Sequence, residues 1–284
     1  MKILVFGASG MIGSAMFRVL SAVADWQVMG TLRSSNDRNY FPINQQDNLF
    51  ADINVEKPDV LIRIFNRVKP DIVVNCIGLT KHHKEAEDAL IAIPLNALLP
   101  HRMADLCALA GARLVHISTD CVFFGSKGNY IETDIPDAAD LYGRSKLLGE
   151  VYYPHAITLR TSTIGHELHS KYGLLEWFLS QSDSCKGFSR AIFSGLPNTE
   201  LARIVRDLVV PRPDLHGLYH VGATPINKYE LLNLIAKSYG KNIQIIKDDL
   251  FTINRSLNSE RFWELVDCQP ADWPELVESM HLLR

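Results

Sequence analysis

The stretch Met1–Gly13, MKILVFGASGMIG, joins a short apolar run to glycines at positions 7, 10 and 13 and then to a helical pattern. Lys2–Phe6 is β-prone and apolar, as expected for the central strand of a sheet covered on both faces. The chain must then turn sharply at Gly7, leave bare backbone for a phosphate at Gly10, and pack a helix against the strand at Gly13; each position disfavours a side chain. A helix starting at Met11 points its first N–H groups at a dinucleotide pyrophosphate. Working outward from this turn, the fold class is α/β, with a doubly wound parallel sheet and a smaller C-terminal lobe.

Composition narrows the classes. The chain has 284 residues, of which 47% are hydrophobic and 21% charged, the mix of an ordinary globular protein large enough for two lobes. A formal net charge of −3 gives no reason to expect nucleic acid or an anionic membrane as a partner. The N-terminus reads as a strand rather than a targeting peptide, and no apolar run is long enough to span a bilayer. Five scattered cysteines without a CxxC pair favour free thiols in a reducing cytoplasm. The HELH at His166–His169 lacks the spacing of a helical zinc pair, and His82 and His83 sit in a polar turn, so no metal is expected.

Along the chain, helix Met11–Val23 and strand Gln27–Thr31 follow the first turn. Arg33 stands at the end of that second strand, where an acid would bind ribose hydroxyls; an arginine there suits a 2′-phosphate and favours NADP(H) over NAD(H), the plain alternative being a surface arginine. Asn48–Ile53 reads as a third strand ending in Asp52, a candidate for the adenine edge. A helix at Val60–Val68 and a strand at Asp71–Cys76 precede a polar turn at Gly78. From Lys84 to Ala110 the pattern is helical with a break near Pro94, the longer helix carrying Asn96. Strand Arg113–Ile117 runs into Ser118-Thr119-Asp120, a helix spans about Leu141–Tyr152, and His155–Arg160 is the sixth strand. Residues 1–160 thus form the dinucleotide-binding domain, with a return of 196–215. Residues 161–284 form a smaller lobe with strands at Ala191–Phe193, Gly217–Val221 and Ile243–Ile246, expected to make a cleft with the first domain.

Tyr142-Gly-Arg-Ser-Lys146 carries the second signal. The four-residue offset places phenol and ammonium on one helix face. A nearby ammonium lowers a phenol pKa that starts near 10, so Tyr142 becomes able to exchange a proton with a carbonyl or alcohol near neutrality. Thr119, at the end of a strand, can hold the substrate oxygen while Tyr142 delivers the proton.

Gly7–Gly13, Val74-Asn75, the Ser118-Thr119-Asp120 triplet followed by Val122-Phe123, Tyr142–Lys146 with Leu148-Gly149-Glu150 behind it, Leu159-Arg160-Thr161-Ser162 and Gly217–His220 together resemble an extended short-chain dehydrogenase/reductase. Within that superfamily the chain is most similar to dTDP-4-dehydrorhamnose reductases, nearly end to end. The resemblance implies NADPH and reduction of the C4 ketone of a nucleotide-diphospho-4-keto-6-deoxysugar, in deoxysugar or polysaccharide biosynthesis. Thr119, Tyr142 and Lys146 match its catalytic positions; Met11, Ile12, Asp52, Ile53, Cys76, Ile77 and Gly78 match cofactor-contacting ones. Thr80, Lys84, Asp120, Cys121, Thr163 and Arg190 are the candidates to touch the sugar nucleotide, and Lys186, Arg190, Arg203 and Arg255 its diphosphate. Cys121, Phe124 and Thr163 depart from the family, which has Tyr, an acid and Trp there, and this leaves the particular sugar open. The resemblance leaves room for a homodimer, since such relatives often pair through helices of the first domain.

Two other readings share the scaffold: a nucleotide-sugar epimerase with bound NAD, which Arg33 opposes, and a non-catalytic dinucleotide-binding regulatory subunit, which has no need of the Thr119, Tyr142 and Lys146 set.

Overall fold

In a computed structural model, which describes residues 1–80 and 84–282, a seven-stranded sheet runs in the order β10-β6-β5-β4-β1-β2-β3. His82, His83 and the Lys84 side chain lie outside the described residues. The strands are β1 (Lys2–Phe6), β2 (Gln27–Thr31), β3 (Leu49–Phe50), β4 (Ile72–Asn75), β5 (Arg113–Thr119), β6 (Ala156–Thr161) and, late in the chain, β10 (Gly217–His220). Pairings of β1 with β2 and β4, of β2 with β3 and of β4 with β5 are parallel. The order reverses beside β1, which places the crevice of a doubly wound sheet at the β1 and β4 carboxyl ends.

The helices of this part are α1 (Met11–Ser21), the single turn α2 (Ile43–Gln46), α3 (Pro58–Val68), the single turn α4 (Ala89–Ala92), α5 (Leu99–Ala110) and α6 (Leu141–Leu148). α3 shows why the sequence folds as it does. Pro58 opens its first turn, Leu61, Ile64, Phe65 and Val68 form one buried stripe, and Lys69 at φ 51° ends it before Pro70. That stripe packs with Leu99, Met103 and Cys107 of α5 on Leu4, Phe6 and Val73. Ile3 and Val5 point to the opposite face.

Four expectations need correcting. The strand expected at Gly217–Val221 in the smaller lobe is β10 (Gly217–His220), at the edge of the large sheet beside β6. The third strand is only two residues long, because Asp52 adopts φ 59° and its Oδ1 accepts from the Ser35 amide at 3.1 Å. The chain does not break at Pro94. It continues as a π-helical segment, Ile93–Leu98, so Asn96 sits in that segment and not in the longer helix. The helix that carries Tyr142 and Lys146 ends at Leu148, four residues early.

Beyond β6 come β7 (Thr163–Ile164), α7 (Leu174–Ser180), β8 (Ser184–Phe193), β9 (Leu196–Pro197), α8 (Asn198–Ile204), β11 (Ile226–Asn227), α9 (Lys228–Ser238), β12 (Gln244–Asn254), α10 (Glu260–Leu265) and α11 (Trp273–Leu282). A three-stranded sheet β11-β8-β12 pairs β8 with β12 in parallel and with β11 antiparallel. β8 and β12 are much longer than their apolar cores suggest. The chain divides into two compact units: 1–118, 139–159 and 202–218 in one, and 119–138, 160–201 and 219–284 in the other. It passes between them after Ser118 in β5, after Leu159 in β6 and after Leu218 in β10.

Candidate active site

The glycine turn is built as its spacing requires. Gly7 has φ 79° and its amide donates to Thr31 Oγ1 at 3.2 Å, while a Cβ at Gly13 would run into the Gly7 carbonyl oxygen. A Cβ at Gly10 would make only an ordinary 3.4 Å contact, so that exposed backbone is open to a ligand rather than closed by protein. α1 then starts with no side-chain cap from its N-cap Gly10 and no acid in its first turn, the condition in which a helix N-terminus takes an anion. Met11 and Ile12 occupy that turn. Arg33 is exposed just past β2, and the Asp52 bond to Ser35, with Ile53 N donating to Leu32 O at 3.0 Å, fastens the Asp52–Ile53 turn to the Arg33 loop.

A second turn follows β4. Asn75 Oδ1 accepts from the Ile77 amide at 3.0 Å, and Asn75 Nδ2 lies 3.1 Å from His116 Nδ1 on β5. Since the amide can only donate, Nδ1 is the acceptor and the proton of His116 sits on Nε2. Burial, reinforced by the Lys146 ammonium and, to a lesser extent, by His101, holds His116 well below the usual histidine range. Burial pushes the Cys76 thiol up to about 12, with Lys146 pulling the other way. The turn of Cys76, Ile77 and Gly78 thus rests on the Asn75 amide, with His116 behind it. Next to them the Leu79 amide donates to Asn96 Oδ1 at 2.8 Å, and Asn96 Nδ2 donates to Leu79 O and to Ser145 Oγ, each at 3.1 Å. The π-helical segment delivers Asn96 to this position. It ties the second turn to the helix that carries the tyrosine and lysine.

α6 opens on Asp140, whose Oδ1 accepts from the Gly143 amide at 2.6 Å. Tyr142 is half-buried, and Lys146 is 4% exposed. Its Nζ donates to Ile117 O at 2.8 Å and lies 3.7 Å from where a Gly78 Cβ would stand. Burial lowers Lys146 to about 8, opposed by Glu150 and Cys76. Ser118 Oγ donates to Glu150 Oε1 at 2.7 Å, and both residues are buried.

In the other unit, Thr119 Oγ1 accepts from the Cys121 amide at 3.1 Å and donates to Asp120 Oδ1 at 3.2 Å. The Thr119 hydroxyl is therefore oriented before any ligand arrives. Of the diphosphate candidates, Lys186 is paired with Asp248 at 3.0 Å, and Arg255 Nε donates to Phe123 O at 2.8 Å with Nη1 3.6 Å from Cys121 Sγ. Those bonds turn both toward the protein, Arg255 most of all. Arg190 is exposed on β8, Arg203 lies in α8, Thr163 forms β7, and Thr80 is exposed past the second turn. The structure brings none of these four together by a described contact. Both ring nitrogens of His166 are engaged, by Glu176 Oε1 at 2.7 Å and Tyr239 OH at 3.0 Å. Among the described residues no group of three His, Cys, Asp or Glu is placed to hold a metal, and no helix is long and apolar enough to cross a membrane.

Sequence reasoning found the helix pair and both turns but gave no role to His116, Asn96, Ser118 or Glu150. For Glu150 a signal existed: it lies four residues after Lys146, the spacing of one helical turn, although the helix itself ends at Leu148 and Glu150 stands in the turn beyond it. The other three act through tertiary contacts that leave no periodic trace.

A family model described as RmlD substrate binding domain matches residues 1–256. A dTDP-4-dehydrorhamnose reductase of Aggregatibacter actinomycetemcomitans is 22% identical over 98% of both chains. Methionine adenosyltransferase 2 subunit beta of Danio rerio is 28% identical over 84% of this chain and 74% of its own. Among solved structures, a dTDP-4-dehydrorhamnose reductase from Clostridium acetobutylicum superposes with a TM-score of 0.80 at 22% identity, covering 100% of this chain and 99% of the other. One from Bacillus anthracis, in complex with NADP, gives 0.79 at 19% identity, with 99% and 98% covered. The parallel sheet with its reversal beside β1, the two turns at its carboxyl edge and the family match agree: this chain belongs to the RmlD substrate binding domain family, on an extended short-chain dehydrogenase/reductase fold.

Proposed function

We propose that this chain is an NADPH-dependent oxidoreductase that reduces the C4 ketone of a nucleotide-diphospho-4-keto-6-deoxysugar. The observation that carries the reading is the buried Lys146 ammonium beside Gly78, with Tyr142 one turn back on the same face of α6. The open Gly10 backbone and the uncapped start of α1 suit a dinucleotide. Gly7, Gly10, Met11, Ile12 and Gly13 would hold its pyrophosphate, Arg33 its 2′-phosphate, Asp52 and Ile53 its adenine side, and Cys76, Ile77, Gly78 and Lys146 its nicotinamide side. NADPH supplies the hydride when bound.

The residues supply the proton and the orientation. Lys146 stabilises the phenolate form of Tyr142, so the phenol gives its proton readily to the ketone oxygen as that oxygen gains charge. Thr119 turns its hydroxyl from Asp120 to the same oxygen, exchanging one hydrogen bond for another. Relatives named dTDP-4-dehydrorhamnose reductase, one of them solved with NADP, support this reaction class. Cys121, Phe124 and Thr163 depart from the aromatic and acidic pattern that the resemblance implies there, so the sugar need not be that of the named relatives. Asp120 and Cys121, beside Thr119, are the substrate contacts this reading favours; Thr80, Lys84, Thr163 and Arg190 are the others.

The test is incubation with NADPH and a panel of dTDP-, UDP- and GDP-linked 4-keto-6-deoxysugars, following absorbance at 340 nm and product stereochemistry. Stoichiometric loss of NADPH supports reduction. Conversion of a nucleotide sugar without net NADPH loss means an epimerase instead. A second reading, a dinucleotide-binding subunit without turnover, is favoured by the Danio rerio relative, named as a subunit of a larger enzyme. NADP binding with no turnover across the panel decides for it.

A further inference from the structure

Lys146 and Glu150 grip consecutive residues of one strand. Lys146 Nζ donates to the carbonyl of Ile117, and Glu150 Oε1 accepts from the hydroxyl of Ser118, both at the carboxyl end of β5 and directly before Thr119. The other oxygen of Glu150 accepts from Tyr152 OH at 3.1 Å. Acceptance at both oxygens is the pattern of a carboxylate rather than a carboxylic acid. The side chain is 3% exposed, so its charge is desolvated and acts strongly on its surroundings. Resting on the site reading above, we propose that Glu150 is a positioning residue: a buried countercharge that keeps Lys146 an ammonium and fixes the strand end that leads into Thr119.

The charge balance around Lys146 makes this specific. From the turn after its own helix Lys146 feels Glu150; from β5 it acts on His116, and from the turn after β4, on Cys76, while Tyr142 lies one turn back on its helix. His101 on α5 also pushes the His116 pKa downward. His116 is held neutral and Cys76 protonated, so neither offers a negative charge near pH 7. Glu150 is the acid among these groups, and it opposes the burial that drives the ammonium toward its neutral form. Ser118, by contrast, carries no charge. It ties the carboxylate to the strand, and removing it leaves the countercharge in place.

The test uses the ligand-free full-length protein labelled with 13C at lysine Cε, with the Lys146 signal assigned from its absence in a Lys146→Arg variant. Titration of that signal is expected to move down by about one pH unit in Glu150→Gln, a tenfold change in the proton equilibrium. Ser118→Ala is expected to leave the midpoint within about 0.3 units of the parent. Glu150→Asp, which keeps the anion, is expected to stay near the parent as well. An unmoved midpoint in Glu150→Gln, or an equal shift in Ser118→Ala, overturns the proposal. If Glu150→Gln does not fold, a Lys146→Met/Glu150→Gln protein decides: recovery of folding in the double variant supports the coupling, and no recovery overturns it. These readouts do not involve turnover. A protein that reduces no keto-sugar yet shows the lysine shift therefore loses the proposed reaction and keeps the countercharge, and the reverse outcome separates them the other way.

Discussion

Tyr142 and Lys146 divide the chemistry, and substitution separates their shares. Tyr142→Phe removes the proton donor without removing the ring, so kcat with an accepted keto-sugar should fall by roughly 10²–10⁴ while NADPH affinity, read by fluorescence titration, stays within about threefold. Gly10 and Gly13 offer a sharper pair. Gly13→Ala drives a methyl into the Gly7 carbonyl and should cost about 1–3 kcal/mol or more in a urea melt. Gly10→Ala meets only ordinary contact, so it should leave stability nearly unchanged and weaken NADPH binding instead. Equal losses of stability would contradict the assignment of Gly10 to a ligand.

Stability against pH follows from the same residues. Lys146 has a folded pKa of about 8 against 10.5 unfolded, so the unfolded chain binds more protons between those values and stability rises with pH there. Cys76 and Cys107, each raised to about 12, act in the opposite direction above pH 9, because the folded chain then holds the extra protons. Unfolded thiols begin to ionise below pH 9 and offset part of this rise, so the lysine share is read as the difference between the parent and a lysine variant. Lys146→Met should remove a rise of roughly 1 kcal/mol from about pH 8 to 9. On the acid side, His116 is depressed, so its contribution is present above pH 6.5 and fades on acidification.

At the scale of elements, the segment before α5 decides how the two turns are held. Pro94 lacks an amide and clashes with a preceding carbonyl in a regular helix, and that physics predicts a break. The chain widens into a π-helical segment instead, and the altered register aims Asn96 at Leu79 and Ser145. A Cβ at Gly149 would strike the Asn96 carbonyl oxygen, so backbone meets backbone where this segment crosses the end of α6. Asn96→Ala leaves the Leu79 amide and carbonyl without their side-chain partner. It should cost about 1–3 kcal/mol in an unfolding titration and weaken NADPH binding; unchanged NADPH affinity would show that the second turn does not serve the cofactor. Elements with strong local signals were legible in the sequence: β1 and β2 have the bounds their apolar runs suggest, and α3 differs only in starting at Pro58. The π-helical segment was not, because it depends on a contact with α6 some fifty residues away.

For the whole molecule, the two larger sheets meet solvent differently, and this explains why one was legible and the other was not. Strands of the large sheet are apolar along their length because helices cover them, so their residues announce themselves. β12 was visible only up to Ile246, because Lys247, Asp248 and Asp249 interrupt the pattern. An edge strand tolerates those charges, and they guard it. The strand carries Leu250 at 91% exposure next to Phe251, an apolar pair on an open edge of the β11-β8-β12 sheet. Its register shifts between Asp248 and Thr252, Leu250 N is capped by Asp248 Oδ1 at 2.9 Å, and Ser189 Oγ holds Asp249. Bulge and charge together deny a second strand a straight edge to pair with. Replacing Lys247 and Asp249 by valine removes the charge and extends the apolar run through Leu250 and Phe251. Light scattering coupled to size exclusion should then show concentration-dependent self-association absent from the parent, with the variant's far-ultraviolet dichroism unchanged. If the valine variant keeps the parent's mass at every concentration, the bulge alone protects the edge and the charges there serve something else.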